Sequence, residues 1–407
     1  MEVTMLNKTA MGIMLGAVLL TFALSSPGLC QGVLQQEYAG LDKYPTQGRP
    51  DDASFVGVRA AEFLTIPVGA RGIGMGSSFS AVADDITSIW WNPAGLGFLE
   101  SAETMVNVVD HSLDLTYTYG AVAVPMFDNR MTFGAFVGYL DVPEIEITTL
   151  NSPNGTGRTY NAYDLQMGGS FAYNFSDRFV GGINMKYVHQ EMFSNISGNA
   201  FAIDAGAIYH TQLADKEIKF AFSIQNLGTN ITMTGPNLLY EVGPNGPNDQ
   251  LPTGYDDYST NPEAVSRRSN RWMYYQTHTY RLPTVVKIAV SYNLYTSEKI
   301  NWMTSGELWR NSNIPLSHSA GTELAYTFAP YTSAALRMGW KVQGDEYTQD
   351  RDGSGIEYLG EDPTFRGLSF GGGLRRNIAG HMFSFNYAYR NMGRLSADNF
   401  FTVALGF

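Results

Sequence analysis

The chain has 407 residues, among them 43 glycines, 24 tyrosines and 23 phenylalanines, and only 16% of its residues are charged. Its length suits one large β-architecture better than one ordinary small domain. A net charge of −12 argues against a nucleic-acid partner bound by phosphate neutralisation.

In chain order, residues 1–30 read as a secretory signal. Lys8 gives a weak basic start and Ala10 to Leu24 form an apolar core. Ser25 to Cys30 then supply small residues and a Pro-Gly break before a cut near Cys30–Gln31. The apolar run is too short to cross a bilayer as a helix. Leu29 stands where a lipid-attachment motif wants a small residue before the cysteine. Cleavage after Cys30 leaves no thiol or disulfide chemistry in the exported chain.

Residues 31–102 precede the first strand-like segment and contain GARGIGMGSSFSAVADDITSIWWNPAGL, Gly69 to Leu96. A phosphate loop would need a strand before the glycines, a helix after them and a Gly-Lys-Ser/Thr ending. Here Arg71 is the only basic residue and no lysine follows. A structural role fits better. Gly69, Gly72, Gly74 and Gly76 let bare backbone pack against a crowded wall. Ala81 to Ile89 is expected to form a short helix that Asn92-Pro93 ends. Trp90 and Trp91 are large anchors. Residues 56–102 are therefore read as a plug, with Arg71, Asp84, Asp85 and Ala94 in the same motif.

From Glu103 to the end the pattern has period two. In DLQMGGSFAYNF, Leu165, Met167, Gly169, Phe171, Tyr173 and Phe175 share one face, and the polar and small residues share the other. Similar segments predict strands at 103–110, 115–125, 130–140, 164–175, 178–190, 200–211, 217–226, 281–294, 298–309, 317–328, 331–342, 366–376, 380–391 and 398–407. That is fourteen, an even number. Every second connection is tiny, as at Met126–Asn129, Ser176–Asp177 and Ala329–Pro330. Most of the others are long and polar: Asp141–Tyr163, Gln190–Asn199, Leu227–Tyr280 and Gln343–Phe365. Short turns on one side and long loops on the other mark a bacterial outer-membrane barrel. The last strand alternates Phe401, Val403, Leu405 and Phe407 with small residues, as a closing strand does. The fold class expected is all-β, a 14-stranded antiparallel transmembrane barrel over 103–407 with the plug in its lumen. The plug and both termini are expected on the periplasmic side.

Charges within strands test this reading, because a lipid-facing Lys or Arg near the midplane costs roughly 2–4 kcal/mol. Lys186, Asp204, Lys219, Lys287, Glu307, Glu323 and Arg337 all fall on the less apolar face. Three pairs are equidistant from their loop centres: Lys186 with Asp204, Lys287 with Glu307, and Glu323 with Arg337. Each is expected as an opposite-charge cross-strand pair in the lumen. In the longest loop Trp272, Tyr274 and Tyr275 suit a protein interface, or alternatively fold the loop onto the barrel rim. Asp350, Asp352, Ser354, Gly355 and Glu361 follow a calcium-loop spacing. The flanks are strands, however, and Glu357 stands where an apolar residue is usual, so a solvated turn is the preferred reading. The six histidines are scattered and none sits in a nucleophile motif, so no enzyme is expected. No cofactor is expected beyond that calcium and a possible lumenal lipid.

Fourteen strands, an N-terminal plug and Asn92-Pro93-Ala94 resemble the FadL family of hydrophobic-compound transporters. The longer stretch AAEFLTIPVGARGIGMGSSFSAVADDITSIWWNPAGLGFL, Ala60 to Leu99, closely resembles the N-terminal hallmark of the PorV/PorQ family, a branch of that fold. The resemblance implies an outer-membrane component of the type IX secretion system. PorV-like members hold secreted cargo by its C-terminal domain and pass it between translocon and attachment machinery. PorQ-like members sit in the attachment complex. Partners would then be outer-membrane lipid, cargo C-terminal domains or secretion-machine subunits, met through the long loops. The alternative is passive transport of hydrophobic small molecules.

Overall fold

A computed structural model describes residues 59–111, 114–148, 152–193, 195–242, 271–274, 277–312, 316–343, 348–349, 356–357, 366–393 and 397–407. Fourteen antiparallel strands close into one barrel. They are β1 (Glu103–His111), β2 (Leu115–Met126), β3 (Met131–Glu146), β4 (Thr159–Ser176), β5 (Phe179–Glu191), β6 (Ser197–Leu213) and β7 (Lys216–Gly228). After the long loop come β8 (Val285–Thr296), β9 (Ile300–Asn311), β10 (Ser317–Ala329), β11 (Thr332–Gln343), β12 (Leu368–Ile378), β13 (His381–Asn391) and β14 (Ala397–Gly406). Closure is made by β1 against β14, with Val106 opposite Val403 and Val108 opposite Phe401. A closed ladder leaves no barrel edge with unpaired backbone groups, the condition for crossing lipid with strands.

The alternation read from the sequence is the alternation of the wall. Outward positions are apolar, as at Met167, Met185, Phe201, Leu336 and Phe401, all exposed. The opposite parity is buried and largely polar: Gln166, Asn184, Lys186, Asp204, Gln225, Glu307, Glu323 and Arg337. Hairpins at one rim are tight, such as Met126 to Met131 and Ala329 to Thr332. At the other rim, the described residues between β7 and β8 form two short antiparallel ladders. Ile231–Thr232 pairs with Thr279–Tyr280, and Leu239–Val242 with Arg271–Tyr274, each as a two-stranded sheet separate from the wall.

Inside lies the plug. It holds two short α-helical turns, α1 (Ala70–Gly74) and α2 (Ser88–Trp91), and 3-10 turns at Glu62–Thr65 and Pro93–Phe98. The helix expected over 81–89 is absent. The segment stays irregular until Ser88, and α1 instead takes in two of the alternating glycines. Wall contacts override propensity here, since backbone groups from Ser78 to Ala81 bond to lumenal side chains rather than along a helix. Asn92-Pro93 does end α2: the Asn92 side chain accepts from the Ala94 N–H at 3.2 Å, capping the 3-10 turn that follows.

The plug spans the lumen from rim to rim. Its first described residues bond at the long-loop rim, Ala60 N–H to the Arg281 carbonyl and Ala61 N–H to Gln190 Oε1. It reaches the short-turn rim where the Phe407 N–H donates to the Ala102 carbonyl. The plug thus threads the lumen, as its Gly-rich stretch suggested. Residues 1–58, on which the expected signal segment and cleavage site fall, lie outside the described residues.

Candidate functional site

The plugged lumen is where the charged residues gather. Arg71, on α1, is its hub. Its guanidinium bonds Glu323 twice, Nε to Oε2 and Nη2 to Oε1, both at 2.9 Å. It also pairs with Asp85 at 3.0 Å and with Asp84. One side chain therefore joins two turns of the plug to strand β10. Burial pulls the Arg71 pKa down, but the carboxylates of Asp84, Glu323 and Asp85 more than reverse this and leave it well above its ordinary value. Glu323 also faces Arg337 directly across the β10–β11 ladder and pairs with it. Arg337 in turn donates to Asn386 at 2.8 Å.

The glycines explain how the plug fits. A Cβ on Gly72 would stand 2.5 Å from the Trp91 ring, and one on Gly74 would stand 3.0 Å from the Gly371 Cα. Gly76 has φ +68° and lies against the Trp340 amide, so both conformation and space exclude a side chain. Trp91 is fully buried and donates from Nε1 to the Val68 carbonyl at 2.6 Å. The chain runs round this indole, which is why the motif carries both features.

The other expected pairs fare differently. Lys186 and Asp204 meet at 2.8 Å, but diagonally, because Asp204 stands opposite Asn184 and Lys186 opposite Ala202. Lys287 and Glu307 do not pair as expected. The hairpin carries a bulge near Asn293–Tyr295, and the register sets Lys287 opposite Trp309 and Glu307 opposite Ala289. The plug then takes the carboxylate. Glu307 accepts from the Phe79 and Ser80 N–H groups at 2.9 and 2.8 Å and from the Ser80 hydroxyl at 2.8 Å. Lys287 is left against three indoles, with Nζ 4.3, 5.0 and 4.1 Å from the rings of Trp90, Trp91 and Trp309.

Several anchors escaped the sequence reading. Asn184 donates to the Ile89 carbonyl, Gln225 to that of Trp90, and Asn107 accepts from the Gly69 N–H. They share the parity of the lumenal charges, and that parity was the available signal. Asp398 is also buried, paired with His111 and Arg390. On the short-turn side of the plug lies a cavity of about 950 Å³, lined by Arg71, Asp84, Asp85, Lys219, Glu323 and Arg375 among others. In the long loop, backbone register sets Trp272 opposite Glu241 and Tyr274 opposite Leu239. Tyr275 and the calcium candidates Asp350, Asp352, Ser354 and Glu361 lie outside the described residues. Among the described residues no cluster of three metal-ligating side chains occurs.

The family described as type IX secretion system protein PorV matches residues 51–257, just over half of the chain. This chain belongs to the PorV family. The PorV-family barrel described above is accordingly an outer-membrane β-barrel of a secretion-associated family. It is similar to solved structures of a Pseudomonas aeruginosa FadL homologue (12% identity, TM-score 0.44, covering 84% of this chain and 98% of that one). It is likewise similar to the toluene transporter TbuX of Ralstonia pickettii (11%, 0.47, 83% and 96%) and the toluene transporter TodX of Pseudomonas putida (8%, 0.46, 83% and 96%). Likenesses at this level say nothing of what the PorV-family barrel binds. No curated protein matches the sequence.

Proposed function

We propose that this chain is a protein-binding component of type IX secretion that holds secreted cargo or attachment-complex partners on its long-loop rim. Family membership supplies the context. The observation that carries the reading is the plug. Glu307 engages it by backbone, Arg71 ties it to the wall through Glu323, and Trp91 fills its centre. Glu307, Glu323 and Trp91 are buried and Arg71 is mostly so, and breaking such a network by removing one partner costs on the order of 3–5 kcal/mol. A lumen held this way favours a solid scaffold over a conduit, and leaves the long-loop rim as the surface free to act.

Passive transport of hydrophobic solutes would want an apolar path beside the plug. The large cavity instead mixes charged side chains of both signs, such as Arg71, Asp84 and Glu323, with apolar ones such as Phe98, Met303 and Leu374. The test is a gentle-detergent pull-down of the tagged protein from its native membrane, with co-purifying proteins and lipids identified by mass spectrometry. Secreted proteins sharing a C-terminal domain, or translocon or attachment subunits, are expected. A bare barrel carrying only apolar small molecules would overturn the proposal in favour of transport.

A further inference from the structure

The apolar outer wall is not equally tall all round. On β4 the outward positions run Tyr163, Leu165, Met167, Gly169, Phe171, Tyr173 and Phe175. At about 3.4 Å per residue and a tilt near ~40°, that run rises about 30 Å. At the seam that closes the barrel the run is far shorter. On β14 the outward apolar side chains are Phe401, Val403, Leu405 and Phe407, and on β1 they are Val106 and Val108. From Phe401 to Phe407 a strand of the same tilt rises about 15 Å, against roughly 25 Å for a usual apolar band.

Polar groups bound the short stretch on both sides. Above it, one row of the ladder runs Asn399, Asp110, Thr116 and Asp141 across β14, β1, β2 and β3. Asp110, Thr116 and Asp141 are exposed on the outer face, and Asn399 accepts from the outward Tyr387 hydroxyl at 2.8 Å. The row lies lowest at the seam because the strands are staggered. Asp110 is close to Glu103, the short-turn end of β1, whereas Tyr163 in the same row lies much farther from Ser176, the short-turn end of β4. Below the stretch, Arg376 faces outward between Leu374 and Ile378, opposite Phe383 of β13.

Lipid chains do not cover a carboxylate or a guanidinium at low cost. The short wall cannot be extended downward, since β14 ends at the short-turn rim, where the Phe407 N–H meets the Ala102 carbonyl. Tilting the barrel raises one wall and lowers another but lengthens neither. The response left is for the bilayer to thin against the short wall.

We propose that the seam formed by β12, β13, β14 and β1 holds a locally thinned strip of outer membrane against the barrel. The surface fits lipid compressed chiefly from the long-loop side, where Asp110 and Asn399 draw polar headgroups down. The inference rests on the wall alone and is independent of the secretion reading. A neighbouring membrane protein with an equally short apolar belt meets the least mismatch on this side.

The test is spin labelling of the full-length protein, in a Cys30→Ser background, reconstituted in phosphatidylcholine vesicles. Single cysteines replace Phe401, Val403 or Leu405 at the seam, and Leu165, Met167 or Phe171 on β4. Collision with oxygen, compared with a water-soluble nickel chelate, reads the depth of each label. The deepest seam label is expected to lie about half as deep as the deepest label on β4. Asp110→Leu combined with Asn399→Leu lengthens the apolar wall and is expected to move the seam labels a few ångströms deeper. Heat-modifiable migration in gels confirms that each variant is folded. Equal depths at the seam and on β4 would overturn the proposal, as would seam depths that ignore the double substitution. Seam labels shielded from both oxygen and nickel would overturn it too, by showing protein rather than lipid against the seam.

Discussion

At the scale of single residues, the plug depends on a few positions with no substitute. Gly76 is one, since φ +68° and the Trp340 backbone together leave a side chain neither conformation nor room. Gly76→Val should cost at least about 1–2 kcal/mol from left-handed strain alone. Urea unfolding in lipid vesicles would read this as a lowered midpoint. Arg71 is another. Arg71→Met leaves Asp84 and Asp85 without their cation and Glu323 with Arg337 alone. The expected loss is about 3–5 kcal/mol. Planar-bilayer recording should show conductance rising above that of the wild type as the plug loosens. Unchanged stability and an unchanged trace would show that the hub is not what holds the plug. The motif was legible as a plug from its glycines and tryptophans. The partners of Arg71 were not, because Glu323 lies 252 positions away and only barrel closure brings it near.

At the scale of elements, alternation decides what each strand tolerates. Leu336 and Ala335 are neighbours in β11 with opposite fates. Leu336 is 71% exposed on the outer wall, whereas Ala335 lines the cavity on the short-turn side. Leu336→Arg should destabilise by roughly 2–4 kcal/mol because it puts a charge in lipid. Ala335→Arg should cost far less. Vesicle unfolding of the two variants side by side checks this, and equal effects would contradict the assigned faces. The strands were legible because a half-buried strand writes its faces at period two. Exact pairing was not, because the β8–β9 turn is centred between Glu298 and Lys299, with Thr296 opposite Asn301, rather than at Ser297. That is how Lys287 and Glu307 look symmetric about Ser297 yet stand opposite Trp309 and Ala289.

At the scale of the molecule, the two rims divide the labour. The short-turn rim opens on a cavity lined by charged and apolar side chains, and the long-loop rim carries two short ladders in the span between β7 and β8. Replacing residues 243–270 with a short Gly-Ser link should leave a heat-modifiable, folded barrel. It should also abolish capture of the partners found in the native-membrane pull-down. Full capture by the shortened protein would move the contact surface elsewhere.

The sequence by itself determined the wall. Residue alternation, strand number and the sorting of short and long connections are local properties, and the Ala60–Leu99 stretch is a continuous word. Only the tertiary structure decided how the lumen is filled. The plug enters at one rim and leaves at the other, its amides displace Lys287 from Glu307, and Trp90, Trp91 and Trp309 close round the lysine instead. The physical reason is competition. Inside a closed barrel, each buried acceptor goes to whichever donor the fold brings nearest, and sequence symmetry carries no record of a third element threaded between two strands.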